Sequence, residues 1–339
     1  MLKKFIPFYF ILFNTFCFAQ LGGESTYQFL NLVSSPRQAA LGGKVLTNID
    51  WDVTQGIYNP SAINVEMDNQ FALNYTNYLG GIKFGTAAYA YTVDRRVQTY
   101  HAGITFINYG DFAGFDEDGN ETGDFSGSEI ALSFGYAAQV GFSDFYVGAN
   151  LKLINSSLEQ FNSFGIATDL ALMYIDERLE FQGTLVVRNL GTQITTYAGV
   201  QESLPLEIDI GLSQTLENIP LRWHLTFENL QQWPIGEPNP ARAATDLEGN
   251  QEQENVGFLA QVVRHTILGA ELFPNKGFNI RLGYNFRRAE ELRIVDQRNF
   301  SGISAGFSIK LNKMRISYTH AKYTAASNSN FLGLQIDLR

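Results

Sequence analysis

Residues 145–153 read FYVGANLKL, and this stretch decides the fold class. Every odd-numbered residue from Phe145 to Leu153 is apolar, whereas most residues between them are polar or small. Successive side chains of a β-strand point to opposite faces, so this stretch presents one apolar and one mainly polar face. About fourteen stretches between residues 70 and 338 alternate in the same manner. The pattern is typical of strands that have hydrocarbon on one side and water on the other.

The connections between these predicted strands alternate in length. Compact connections lie at 94–96, 138–144, 175–178, 273–277 and 312–313, and most of the others are longer, at 110–127, 190–204, 230–263 and 288–301. An even number of strands places both chain ends on one side of a membrane, with short periplasmic turns and long surface loops. We therefore expect an all-β outer-membrane barrel of about fourteen antiparallel strands, with both termini in the periplasm. A soluble β-sandwich would show the same alternation within strands but does not explain how the loop lengths segregate.

The first residues predict export. Lys3 and Lys4 precede an apolar run from Phe5 to Phe16, and Cys17 and Ala19 place small residues before a cleavage site. We expect a signal peptide at 1–19, because about a dozen apolar residues are too few to span a membrane as a helix. A lipoprotein is the less favoured alternative, since bulky Phe16 precedes the cysteine.

Composition excludes several functional classes. Cys17 is the only cysteine, so the exported chain has neither a disulfide nor a cysteine metal site. Removing Lys3 and Lys4 from the 24 basic residues leaves 22 against 34 acidic ones, a formal charge of −12. Such a charge disfavours nucleic acid as a partner.

The charges on the strands are of both signs and fall on the faces predicted to line the lumen. The residues predicted to face the lumen are Lys83, Glu129, Lys152, Asp169, Glu180, Arg188, Glu207, Asp209, Arg222, Glu228, Glu271, Arg281, Lys310, Arg315 and Asp337. Opposite charges in a confined interior should pair with each other rather than filter ions. The aromatic residues predicted to face lipid include Tyr78, Tyr174, Phe278, Tyr284, Phe286 and Tyr318.

Residues 20–69 precede the first predicted strand and are too polar and too interrupted by turns to be membrane strands. We expect them to form a plug, or hatch, for a barrel formed by residues 70–339. Tyr27, Phe29-Leu30, Ser35-Pro36-Arg37, Ala40 to Gly43 and Asn59-Pro60 resemble the hatch of the PorQ family, outer-membrane components of the type IX secretion system. The same family resemblance extends to three further stretches, which are Tyr109-Gly110, residues 119–123 and Asn189 to Gly191.

This family is similar to the FadL long-chain fatty-acid transporters, and the resemblance implies a fourteen-stranded barrel with an amino-terminal hatch. The hatch residues that it singles out are Pro36, Arg37, Gly42, Gly43, Asn59 and Pro60. It also implies a scaffold in the cell-surface attachment complex. There PorU is the sortase, PorV delivers cargo, PorZ recognises anionic lipopolysaccharide, and PorQ holds PorZ to the membrane.

The expected partners are therefore PorZ, together with PorU and PorV, and outer-membrane lipid or lipopolysaccharide. The alternative function is a FadL-like transporter of fatty acids or other hydrophobic small molecules. A filled interior would favour docking, whereas a hydrophobic lumen that opens through a strand gap would favour transport. We expect no catalytic role, because His101, His224, His265 and His320 lie on separate strands without triad or metal-site spacing.

Three predicted loops, 110–127, 190–204 and 230–263, carry candidate site residues. The acidic stretch 116–124 could bind calcium through Asp116, Asp118, Asn120 and Asp124, although Gly127 stands where an EF-hand has its bidentate glutamate. A solvated hairpin tip is the alternative, and no other cofactor is expected. The long loop 230–263, with a possible helical turn at 258–262, could bind a partner or fold inward as a lid. Aromatic and large apolar residues anchor interfaces, so the partner-binding candidates are Tyr197, Trp233, Ile235, Phe258 and Leu259.

Overall fold

A computed structural model describes residues 25–78, 81–94, 98–236, 244–245, 251–252, 256–292, 300–323 and 328–339. The predicted signal peptide and its cleavage site lie outside these residues. Within them, no helix is both long enough and apolar enough to cross a membrane.

Fourteen antiparallel strands close into a barrel, as the sequence predicts. Each strand pairs with its neighbours in the chain, and β1 pairs with β16 to complete the circle. The barrel strands are β1 (Gln70–Asn77), β2 (Lys83–Asp94), β3 (Gln98–Phe115), β4 (Glu121–Gln139), β5 (Phe145–Leu158), β6 (Phe161–Asp176), β7 (Phe181–Thr195), β8 (Glu207–Thr215), β9 (Leu221–Phe227), β12 (Thr266–Leu272), β13 (Phe278–Asn285), β14 (Ile303–Leu311), β15 (Met314–Ala321) and β16 (Ser329–Asp337). Strands β10 (Ala244–Thr245) and β11 (Gln251–Glu252) form a separate hairpin.

Burial alternates along the strands with a period of two. In β5 the side chains of Phe145, Val147 and Leu151 are exposed, whereas Asn150 and Lys152 are buried. Phe307 and Leu332 likewise lie on the exposed outer face. The barrel therefore has an apolar exterior and a polar interior, which is the arrangement of a transmembrane barrel rather than a sandwich.

The wall is higher on one side than on the other. Strands β3 to β7 have 14 to 19 residues, whereas β8, β9 and β12 to β16 have 7 to 9. The two predicted loops at 110–127 and 190–204 are correspondingly shorter than expected. The pairing of β3 with β4 continues to Phe115 and Glu121, and β7 continues to Thr195. The sequence did not predict these extensions, because small and polar residues interrupt the alternation that is typical of a membrane strand.

Short helices occupy the segment before β1 and two connections near the short strands. They are η1 (Gln28–Asn31), α1 (Pro36–Ala40), α2 (Gln55–Tyr58), η2 (Pro60–Ala62), η3 (Val65–Met67), α3 (Phe258–Arg264) and α4 (Phe286–Glu291), where η denotes a 3-10 helix. Pro36 begins α1, where its missing N–H costs nothing. The side chains of Asn59, Asn64 and Asn285 cap η2, η3 and α4. Helix α3 includes the helical turn predicted at 258–262.

Four residues do not face as predicted. Lys83 is exposed and lies on the outer face, because the inward positions of β2 are Phe84, Thr86 and Ala88. Glu180 lies in an exposed turn, and Lys310 is exposed near the end of β14. Tyr78 points inward rather than to lipid, and its hydroxyl donates to the Val33 carbonyl at 2.8 Å. All four lie at or near strand ends, where the alternation no longer determines the face.

Candidate functional site

Residues 25–69 lie against the inward faces of the strands. Inward side chains from several strands bond their backbone carbonyl groups: Asn150 to Gly56 (2.9 Å), His101 to Val53 (2.9 Å), Ser304 to Ala40 (3.1 Å), Thr319 to Pro36 (2.6 Å) and Gln335 to Trp51 (2.6 Å). A short chain segment without a sheet of its own has carbonyl groups that need partners when buried. The polar side chains of the lumen supply those partners, so the segment and the wall satisfy each other's hydrogen-bonding groups.

Inward-facing glycines allow the segment to approach the wall closely. A Cβ atom at Gly283 would overlap the backbone of Leu41 and Gly42, and one at Gly148 would overlap the backbone between Pro60 and Ser61. Two further glycines leave room for side chains of α1: Gly306 lies beside Ala40, and Gly333 lies beside Pro36. Glycine is the residue that permits such a close approach of two backbones. The wall therefore has positions that match the path of this segment.

An ion cluster built around Arg37 links α1 to the wall. The Arg37 guanidinium donates to both carboxylate oxygens of Asp50 at 2.7 Å and to Glu271 Oε2 at 2.9 Å. Arg281 donates to the other oxygen of Glu271 at 2.7 Å. The Trp51 ring lies close to two cations, with the guanidinium carbons of Arg37 and Arg315 5.2 and 3.7 Å from its centroid. Bidentate pairing of this kind fixes orientation as well as position.

A second cluster surrounds Lys44. Its ammonium lies 2.6 Å from Glu207 Oε1 and 3.2 Å from Glu228 Oε2. Arg188 pairs with the other oxygen of Glu207, and Arg287 lies 3.6 Å from Glu228. The expectation that interior charges pair is confirmed here and by Lys152 with Asp169 at 2.8 Å. Sequence reasoning did not identify Arg37, Lys44 and Asp50 as partners of the wall charges, since they lie far from those charges along the chain.

The predicted hatch residues all belong to this interior segment. Gly42 and Gly43 have positive φ angles of 100° and 133°, which glycine adopts without strain. The Asn59 side chain donates to the Leu46 carbonyl at 2.6 Å and accepts from the Ser61 amide at 2.9 Å. Pro60 packs over Gly148. The structure thus places these residues together, and their assignment as a hatch remains a functional prediction.

One cavity between the segment and the wall is small. Lined in part by Arg37, Trp51 and Gln335, it has a volume of about 20 Å³, enough for about one water molecule. A larger groove of about 440 Å³ involves Tyr91, Tyr100 and Phe134, whose side chains are on the outer face. This groove therefore lies on the exterior of the wall. Another space, of about 340 Å³, is lined by Trp51, Val65, Glu66, Asp68 and Arg339.

Three of the five predicted partner-binding residues form an exposed apolar group at α3. The Trp233 ring stacks on Phe258 with centroids 5.2 Å apart, and Leu259 beside it is 76% exposed. Ile235 is half-buried. Tyr197 is directed elsewhere: its hydroxyl donates to Ser156 and its ring lies 6.4 Å from Tyr27. The sequence placed Tyr197 in a loop but did not predict that this loop folds back against the amino-terminal segment.

The four predicted calcium ligands lie at the end of the β3–β4 hairpin. Asp116 accepts hydrogen bonds from the amides of Asp118 (3.0 Å) and Asn120 (2.8 Å) and from the Asn120 side chain (2.9 Å). These bonds, led by the one from the Asn120 side chain, lower the pKa of Asp116 below its ordinary value. Asp124 pairs with Ala113 within the hairpin. Within the described ranges, no group of three or more His, Cys, Asp or Glu residues is arranged to hold a metal.

No protein-family model matches this chain, and no curated protein matches it. Among solved structures, the deltaS2 mutant of the TodX monoaromatic hydrocarbon channel shares 12% identity with a TM-score of 0.53, covering 90% of this chain and 99% of that one. A FadL homologue from Pseudomonas aeruginosa shares 10% identity with a TM-score of 0.49, covering 90% and 98%. These comparisons do not support the more specific resemblance to PorQ. The likeness to the TodX channel agrees with the fold observed here, a closed barrel of fourteen antiparallel strands.

Proposed function

We propose that this chain is an integral outer-membrane barrel that is plugged by residues 25–69 and serves as a docking scaffold for a surface protein. The observation that carries this proposal is the filled interior. Carbonyl groups along the segment bond to the wall, and two ion clusters join the segment to β8, β9 and β12. A scaffold needs a rigid barrel and exposed loops, whereas a pore needs a continuous free path, and contacts between the segment and the wall obstruct part of the described interior.

The proposed orientation puts the long connections at the cell surface and both termini in the periplasm. The apolar outer face and the likeness in fold to outer-membrane channels support this location. The resemblance in the amino-terminal segment points to PorZ as the docked protein, with PorU and PorV in the same complex and lipopolysaccharide around it. Trp233, Phe258 and Leu259 are the proposed contacts, because exposed aromatic residues often carry interface energy.

Affinity purification from the native outer membrane tests the scaffold. We expect a tagged chain, extracted in mild detergent, to retain a surface protein, and the Phe258→Ala/Leu259→Ala variant to lose most of it. The matched control is Phe142→Ala, since Phe142 is fully exposed in the turn at the opposite end of the barrel. We also expect the purified barrel to conduct no ions in a planar bilayer. Recovery of no surface partner, together with measurable uptake of a hydrophobic solute, would overturn the proposal.

A second candidate function is a channel for hydrophobic small molecules. It is favoured by the likeness in fold to a monoaromatic hydrocarbon channel, which extends over 90% of this chain. On this alternative the amino-terminal segment must move during transport. Radiolabelled toluene and oleate uptake by cells with and without the gene would test it. Equal uptake by both would argue against a channel.

A further inference from the structure

The β3–β4 hairpin continues past the end of the barrel wall. We call residues 110–126 the arm. Its two strands pair regularly from Gly110 with Gly127 to Gly114 with Gly123, and the turn at 116–120 closes it. From Asp111 to Ser126 every residue except the half-buried Gly114 is exposed. No atom lies within 4 Å of the space that a Cβ would occupy at Gly110 or Gly123. Among the described residues, the arm therefore projects beyond the wall, and its β4 strand contacts the wall at Ser126.

The arm has an open strand edge. Among the described residues, β2 pairs with β3 only as far as Asn108, and β5 pairs with β4 only as far as Gly127. On the β4 side, the Glu159 amide already donates to the Ser126 carbonyl at 3.0 Å. On the β3 side, Asp111 to Phe115 has no strand partner in the described part of the chain. Alternate residues along such an edge direct their N–H and C=O groups away from the existing pair, where another strand can bond them.

Charge on the arm is of one sign. Its acidic residues are Asp111, Asp116, Glu117, Asp118, Glu121 and Asp124, and it contains no lysine, arginine or proline. Within the described residues, none of the six is within ion-pair distance of a cationic side chain. Lysine and proline are the residues with which proteins commonly protect an exposed edge from pairing. This edge lacks both and is surrounded by negative potential.

An aromatic pair lies on one face of the arm. Phe112 and Phe125 are directly opposite each other, with centroids 5.4 Å apart and planes inclined by 25°. Their exposed fractions are 42% and 39%. Asp111 and Asp124 occupy the other face by alternation. An added strand could therefore place apolar side chains beside the phenylalanines and basic ones beside the carboxylates.

We propose that the β3 edge from Asp111 to Phe115 binds an extended, basic segment of the docked surface protein as an additional strand. This inference rests on the proposed scaffold function and names the contact by which the scaffold would hold its partner. Binding by strand addition combines backbone hydrogen bonds with side-chain specificity. A second copy of this chain does not fit, because two acidic edges repel each other, and the same repulsion excludes lipid phosphate.

The test compares three forms of the full chain in the affinity purification described above. One replaces residues 111–126 with Asn-Gly, and a second carries Asp111→Lys/Glu121→Lys/Asp124→Lys. The matched control carries Asp144→Lys/Glu177→Lys/Glu217→Lys, at exposed positions in turns at the opposite end. We expect the first two to retain at least about tenfold less partner than the wild type, because both remove charge complementarity, and the control to retain all of it. Heat-modified mobility on gels verifies that each barrel is folded.

A synthetic probe tests the strand addition itself. In hydrogen exchange on the wild-type barrel, we expect a ten-residue alternating Val-Lys peptide to slow exchange of the amides between Asp111 and Phe115, and an alternating Val-Glu peptide to leave it unchanged. Protection by neither peptide, or by both, would overturn the inference.

The outcomes distinguish the two proposals. Full partner retention by the chain without its arm would overturn the strand-edge contact and leave the scaffold intact. Recovery of no partner even by the wild type would overturn the scaffold function and this inference with it. A photo-crosslink from position 112 to a second copy of the chain would also overturn the inference, in favour of self-association.

Discussion

Residues 25–69 inside the barrel and the arm outside it both carry acidic side chains, and they use them in opposite ways. Inside, Asp50 accepts from Arg37 and lies 3.3 Å from Arg222. Outside, Asp124 is exposed and is within ion-pair distance of no described cationic side chain. A buried carboxylate must have a partner, so it fixes backbone position, whereas a solvated one creates a field that acts on other molecules. The same residue type is therefore structural in one region and available for recognition in the other.

Removal of the Arg37 charge should have the largest effect on stability. Arg37→Met leaves the buried carboxylates of Asp50 and Glu271 with fewer cationic partners, which should lower the free energy of unfolding by about 3–5 kcal/mol. Urea titration of the barrel folded in vesicles, followed by tryptophan fluorescence, measures this loss. Arg178→Met is the control, because Arg178 is exposed in a turn and should change stability by no more than about 0.5 kcal/mol. An equal loss of unfolding free energy in the two variants would show that ion pairing in the interior makes no specific contribution to stability.

Overpacking the glycine contact should displace the interior segment. Gly283→Leu places a side chain where the backbone of Leu41 and Gly42 lies, at a cost of about 1–3 kcal/mol or more. The chain has no cysteine after Cys17, so a Ser34→Cys background reports exposure of this buried position. We expect faster maleimide labelling in the Gly283→Leu variant. Gly183→Leu is the control, since the nearest atom to its Cβ is 3.4 Å away. Unchanged labelling would contradict close packing of the segment.

Loss of the aromatic pair should affect the arm alone. Phe112→Ala removes a cross-strand contact with Phe125, and such pairs contribute roughly 0.2–1 kcal/mol. Hydrogen exchange of the arm amides should quicken while that of β8 amides stays the same. Faster unfolding of the barrel or a lower barrel midpoint would instead mean that the arm is coupled to the barrel.

The smallest effect concerns pH at the tip of the arm. Hydrogen bonds from Asn120 and neighbouring amides lower the Asp116 pKa in the folded chain. The ionised Asp116 carboxylate therefore stabilises the tip fully above the pKa of Asp116 in the unfolded chain, about 3.9. This stabilisation is lost as the pH falls through the lower pKa of Asp116 in the folded chain. The amide chemical shift of Asn120, followed by NMR in micelles, reports this titration. Asn120→Ala should move the midpoint upward, and an unmoved midpoint would exclude the Asn120 bonds as the cause.

Strand number and order were predictable because alternation is a local property. In FYVGANLKL each apolar residue specifies its own face, and fourteen such stretches lead to a closed wall without knowledge of any distant contact. The extent of the strands was less predictable. Beyond Asn108 the chain is rich in glycine and acidic residues, so nothing in its hydropathy distinguishes a paired arm from a loop.

The candidate site was predictable only in part. The resemblance singled out Pro36, Gly42 and Asn59, and in the structure these residues begin a helix, adopt a positive φ angle and cap a 3-10 helix. The stacking of Trp233 on Phe258 could not be predicted, since 24 residues lie between them and no periodicity connects them. The direction of the Tyr197 side chain was not predictable either, because its hydroxyl bonds to Ser156 on the distant strand β5.

The sequence by itself determined a barrel with an apolar exterior and a polar interior, because a period of two assigns each strand side chain to a face. Only the tertiary structure decided which charges meet. Arg37 and Glu271 are 234 positions apart and come within 2.9 Å, and Gly283 admits the backbone of Gly42. Such contacts depend on how the closed wall surrounds the amino-terminal segment, and closure is a property of all fourteen strands together rather than of any one stretch.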